Sequence, residues 1–132
     1  MQKTPELYTM FIESARMWII EFESTLLDFE KFPQDRELFN NMFRVVHNLK
    51  GSSGNVGLTD ICKFAHSMED SLDLLRQNKL EPDKQLIDSF FKAIDLVSDM
   101  VEAAAAKEHF DFSRCGVWVT HMDTLKMKEL PA

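Results

Sequence analysis

Leu7, Phe11, Ala15, Trp18, Phe22, Leu26 and Phe29 return at steps of three and four residues along the first part of the chain. Such steps line up one stripe of an α-helix and scatter over both faces of a strand. Thr4-Pro5 supplies a helix start, because proline suits the first turn. Phe32-Pro33 supplies a stop, because the residue before proline is pushed out of the α region. The same period recurs. A second helix is expected from Asp35, which can cap it, through Phe39, Met42, Phe43, Val46 and Leu49, fraying near Gly51 to Gly57. A third starts at Thr59 or Asp60, carries Ile61, Phe64, Ala65, Met68, Leu72 and Leu75, and ends by Asn78 or Lys79. Pro82-Asp83 marks a turn, and a fourth carries Leu86, Ile87, Phe90, Ile94, Val97 and Val101 into the run Ala103 to Ala106. The two-residue alternation of a sheet is absent, and Gly116-Val117-Trp118-Val119 is a lone strand-like run.

Four amphipathic helices with short connections predict an all-α fold, an antiparallel four-helix bundle over residues 1–106. The tail 107–132 still holds Phe110, Phe112, Trp118 and Leu125, so part of it should pack on the bundle as a possible fifth helix. At 132 residues and 45% hydrophobic, the chain is one domain with material for one core.

Charge narrows the partners. Fifteen Lys plus Arg against 22 Asp plus Glu leave a net charge of -7. Such a surface repels phosphate backbones and anionic lipid, which argues against nucleic acid and a membrane surface. No apolar run approaches the ~20 residues that span a bilayer. Cys62 and Cys115 are too few for a disulfide framework. Without a signal sequence they read as reduced thiols of a cytoplasmic protein.

The stretch His47-Asn48-Leu49-Lys50-Gly51-Ser52-Ser53-Gly54-Asn55-Val56-Gly57 departs from ordinary helix composition. Each glycine inside a helix costs roughly 1 kcal/mol relative to alanine, so something should compensate. With Val46 set at zero, Phe39, Met42, Phe43, Leu49 and Ser53 fall within about 60° and make the core stripe. His47 falls at about 100°, Gly51 at about 140° and Gly54 at about 80°. His47 therefore sits just off the core beside a strip of bare backbone. Lys50 can lay its stem on apolar neighbours and send its ammonium to the surface beside the imidazole. On the third helix Cys62, His66, Glu69 and Asp73 share a polar stripe. If the two helices are antiparallel neighbours, His66 and Glu69 reach His47, and a carboxylate on one ring N–H fixes the tautomer that leaves the other nitrogen nucleophilic.

His47-x-x-Lys50-Gly51, followed by Gly54 and Gly57-Leu58, resembles the phosphorylation motif of histidine phosphotransfer domains. The segment Ala65 to Asp73 resembles the third helix of the N-terminal phosphotransfer domain of chemotaxis histidine kinases of the CheA type. The similarity runs from about Leu7 to Glu102. It implies that His47 is the phosphoacceptor, through Nε2, and that Lys50, His66 and Glu69 form its supporting network. Gly51 and Gly54 leave room for partners to dock. The implied partners are a histidine kinase ATP-binding domain and response-regulator receiver domains, which bring ATP and Mg²⁺; the chain itself is expected to bind no cofactor and no metal. It would then be the phosphoacceptor domain of a histidine protein kinase, without an ATP site of its own. Ser53 departs from the alanine common in this region, and its hydroxyl can bond back to the helix.

Rival readings are a helical interaction bundle without phosphoryl chemistry, a stand-alone phosphotransfer relay, and a metal site built from His47, Cys62, His66 and Glu69. Lys50 opposes the last by repelling a cation. The glycines lack the Gly-Lys-Ser/Thr ending of a phosphate-binding loop.

Overall fold

The computed structural model describes residues 5–126. They form five helices: α1 (Pro5–Lys31), α2 (Arg36–Asn55), α3 (Thr59–Arg76), α4 (Lys84–Ala106) and α5 (Ser113–Leu125). The expected start residue Thr4 and the end of the tail, 127–132, lie outside the described residues. Asp35 caps α2 as its sequence position suggests, its carboxylate accepting from Glu37 N at 2.9 Å and Leu38 N at 3.3 Å. Asp83 caps α4 by accepting from Leu86 N at 2.9 Å. Such side-chain acceptors satisfy amides that the first helical turn leaves unpaired.

Helix α1 packs on α2 and α4, α2 packs on α3, and α3 also meets α4. The fully buried Phe22, Phe64 and Phe90 mark the centre of the core. Helix α5 lies across α3 and α4. It contains the strand-like run Gly116 to Val119, which is helical because Trp118 faces the bundle while Val117 and Val119 face solvent. The Trp118 ring meets Phe64 edge-on at 5.2 Å between centroids, and its Nε1 donates to the Ser89 carbonyl at 2.7 Å. A buried indole N–H needs such an acceptor, and here it fixes where the extra helix docks.

Three details differ from expectation. Leu7 lies at the surface, 41% exposed, and Trp18 is only half-buried, so the core stripe of α1 starts effectively at Phe11. Phe39 and Phe43 are likewise half-buried, stacked with centroids 6.4 Å apart. Helix α2 does not fray at Gly51: it continues through Gly51 and Gly54 to Asn55. Packing against α3 outweighs the weak propensity of single glycines, which is small beside the burial of Val45, Val46 and Leu49. The stop comes at Gly57, whose φ of 80° turns the chain while Leu58 N donates to Ser53 O at 2.9 Å. That six-to-one closure needs a left-handed residue, which glycine adopts without a Cβ clash.

Candidate functional site

His47 lies near the middle of α2, and Glu69 lies on the facing side of α3. The tight pairing of these two helices brings them together. Glu69 is 9% exposed and accepts two hydrogen bonds: from His47 Nδ1 to Oε2 at 2.9 Å, and from Lys50 Nζ to Oε1 at 2.6 Å. Burial pushes the Glu69 carboxyl up, but the bonds from Lys50 and His47 and their charge outweigh it, so the group sits below its ordinary value. The result is a carboxylate fixed at both oxygens. With Nδ1 donating to Glu69, the imidazole holds the tautomer in which Nε2 has the lone pair. The His47 side chain remains 62% exposed while Glu69 is covered, so the ring is anchored on one edge and open on the other.

Lys50 reaches the site but not in the expected pose. Its ammonium turns inward to Glu69 instead of standing at the surface beside the imidazole, and its side chain is 25% exposed. A half-covered ammonium beside a covered carboxylate gains a charge-assisted bond that a solvated position would not offer. Ser53 is fully buried and donates to the Leu49 carbonyl at 2.6 Å, which satisfies the hydroxyl within its own helix.

His66 is not brought to His47. It is exposed and lies 3.6 Å from Asp70, its neighbour one turn along α3. The four-residue spacing of His66 and Asp70 is visible in the sequence, and it was the signal for this local pairing. Asp73, on the same stripe, pairs with Arg76. Of the stripe, Glu69 reaches His47, while Cys62 faces Gly54 of α2.

The two glycines differ. A Cβ at Gly51 would meet nothing within 4 Å, so the surface one turn after His47 is open. A Cβ at Gly54 would meet Cys62 Sγ at 3.4 Å. Gly54 therefore faces Cys62 of α3, where a methyl would sit in ordinary contact and a longer side chain would meet α3. Among the described residues no group of three or more His, Cys, Asp or Glu side chains is placed to hold a metal ion. No helix of the described residues is long and apolar enough to cross a membrane.

The Hpt domain family matches residues 6–107 of this chain. Among curated relatives, the chemotaxis protein CheA of Rhizobium meliloti (strain 1021) is 32% identical over 126 residues, covering 96% of this chain and 17% of the relative. The chain thus spans about a sixth of that relative's length. Among solved structures, the solution structure of the histidine phosphotransfer domain of CheA superposes with a TM-score of 0.85 at 26% identity, covering 98% of both chains. The phosphorylated P1 domain of CheA3, solved in complex with CheY6 from R. sphaeroides, shares the fold with a TM-score of 0.79 at 21% identity, covering 92% of this chain and 95% of that one.

Proposed function

The chain belongs to the Hpt domain family, and from that premise we propose that it is the phosphocarrier of a chemotaxis-type histidine kinase, with Nε2 of His47 as the acceptor. The observation that carries this reading is the 2.9 Å bond between His47 Nδ1 and Glu69, which leaves the exposed nitrogen as the nucleophile.

In the forward step the Nε2 lone pair forms a bond to the γ-phosphorus of ATP as the bond to the bridging oxygen breaks and ADP leaves. The Nδ1 proton stays on the ring, which gains positive charge, and the Glu69 carboxylate faces that charge at hydrogen-bond distance. Lys50 occupies the other oxygen and keeps the carboxylate from rotating away. In the second step a receiver-domain aspartate attacks the phosphorus, the N–P bond breaks, and the lone pair returns to Nε2. ATP, Mg²⁺ and in-line positioning come from the partner domains, and this chain supplies orientation and access. The open backbone at Gly51 is where those partners approach. The fold shared with a P1 domain solved in complex with CheY6 supports a receiver partner. Likeness to part of a CheA protein supports a kinase ATP-binding domain as the donor and the cytoplasm as the location.

The test is incubation with radiolabelled ATP and a purified CheA-type kinase catalytic domain. Acid-labile, alkali-stable label is expected on the wild type and none on His47→Gln, with helical circular dichroism retained. Labelling of His47→Gln at the wild-type level would move the acceptor to His66, His109 or His121 and defeat the assignment.

A further inference from the structure

Helix α1 carries a second apolar stripe that its own bundle does not use. Met10, Met17, Ile20 and Leu27 are 60%, 71%, 67% and 52% exposed. They centre about 170° around the helix from the buried stripe of Phe11, Ala15, Phe22 and Phe29. Met10 and Met17 are seven apart, as are Ile20 and Leu27, and Met17 and Ile20 are three apart, which is the a/d spacing of a coiled-coil seam. An ion pair borders the stripe on each side, Arg16 with Glu102 of α4 and Glu21 with Arg44 of α2. An apolar strip with a polar rim is the composition of an interface core.

We propose that this stripe pairs with the same stripe of a second copy of the chain, with the two α1 helices antiparallel. The pattern is palindromic about a point between Trp18 and Ile19. A two-fold axis there places Met17 against Ile20 and Met10 against Leu27 of the partner copy, each contact occurring twice. The remaining seam positions obey the same symmetry: Glu13 meets Ser24, and Glu6 meets Lys31. Every a residue faces a d residue, as an antiparallel pair requires, and the end layers join opposite charges. Parallel pairing would set Glu6 on Glu6, Glu13 on Glu13 and Lys31 on Lys31, three like-charge layers. A two-fold interface must be self-complementary, and this stripe meets that condition in one orientation only. Helix α1 packs on α2 and α4 and not on α3 within the described residues.

A single helix pair of this length buries on the order of 1,000 Å² in total, at the small end of specific interfaces, so association is expected at roughly 0.1 to 1 mM. Two copies tethered in one assembly reach that range as an effective concentration.

Sedimentation velocity of the 132-residue chain across that range tests the proposal. The wild type should move from an apparent mass of 15.3 kDa toward twice that value, and Ile20→Glu should stay at 15.3 kDa with an unchanged melting curve. Lys31→Glu should weaken association at least several-fold, and Glu6→Lys added to Lys31→Glu should restore it. A wild type that stays at monomer mass throughout overturns the proposal. So does dimerisation that survives Ile20→Glu, or a double charge swap that restores nothing, which removes the antiparallel register. A monomeric wild type in which Ile20→Glu slows transfer to a receiver domain assigns the stripe to that partner instead.

Discussion

His47 and Lys50, one turn apart on α2, are held by the two oxygens of a single carboxylate: Glu69 Oε2 takes the imidazole at 2.9 Å and Oε1 takes the ammonium at 2.6 Å. The carboxylate comes from another helix and is nearly buried, so neither side chain can move without disturbing the other. This three-residue unit makes the site sensitive to charge on Glu69.

Glu69→Gln keeps an acceptor for the Nδ1 proton and removes the negative charge. Phosphoryl acceptance by His47 is expected to fall ~10-fold, the scale seen when partners that orient a histidine are lost. The same variant tests linkage to stability. The folded-state value of Glu69 is depressed below its ordinary 4.5, so its contribution is fully present above about pH 4.5 and is lost as pH falls through the folded value. The difference in melting temperature between wild type and Glu69→Gln should therefore be constant at neutral pH and shrink in acid below pH 4.5. A gap that stays the same down to pH 2 would show that the carboxylate is not held in the folded state.

His66→Ala should leave the ring-nitrogen NMR signals of His47 unchanged, because His66 lies against Asp70 and not against the acceptor. Stability should change by less than about 0.5 kcal/mol, as for other exposed positions. In the same spectra Glu69→Gln should shift the His47 nitrogens. A His47 tautomer pattern that responds to His66→Ala and ignores Glu69→Gln would reverse the roles assigned to the two α3 residues.

Gly51 and Gly54 should separate folding from docking. Gly51→Ala places a methyl in open space inside a helix and should stabilise the protein by about 0.5 to 1 kcal/mol, raising the melting temperature by about 3 °C. Gly51→Glu should fold equally well and slow transfer to a receiver domain at least ~10-fold, since the new side chain stands one turn from the phosphorylated ring. Gly54→Glu should instead lower the melting temperature, because the side chain starts 3.4 Å from Cys62 Sγ. Transfer kinetics untouched by Gly51→Glu would mean that partners approach from another side.

The two thiols should react in sequence. Cys115 is buried against Met100, and burial pushes its thiol up to about 11, whereas Cys62 is half-buried beside Gly54. At pH 8 iodoacetamide should label Cys62 alone, with Cys115 protected until the protein is unfolded. A raised folded-state value also means that this contribution is present below pH 9 and is lost as pH rises toward 11. Cys115→Ser should flatten that part of the alkaline decline. Equal labelling of both thiols in the native state would place α5 off the bundle.

The sequence by itself determined the first four helices and the cap at Asp35. Stripes at steps of three and four cannot bury as strands, and Asp35 stands where helical amides need an acceptor. It also determined the motif His47-x-x-Lys50-Gly51 and the presence of Glu69 on the stripe facing it, because helical phase is a local property. Only the tertiary structure decided which members of that stripe meet. Glu69 and His66 are three residues and about 60° apart on α3, and the α2–α3 packing buries the first and leaves the second in water with Asp70. Packing likewise carried α2 through Gly51 and Gly54, turned Lys50 inward, gave Gly54 a neighbour in Cys62, and left Leu7 at the surface. It made the Gly116 to Val119 run helical by offering Trp118 an acceptor on Ser89. Phase along one helix is set by neighbours in the chain; the distance and rotation between two helices are set by the sum of many side-chain contacts across them, and no single segment contains that sum.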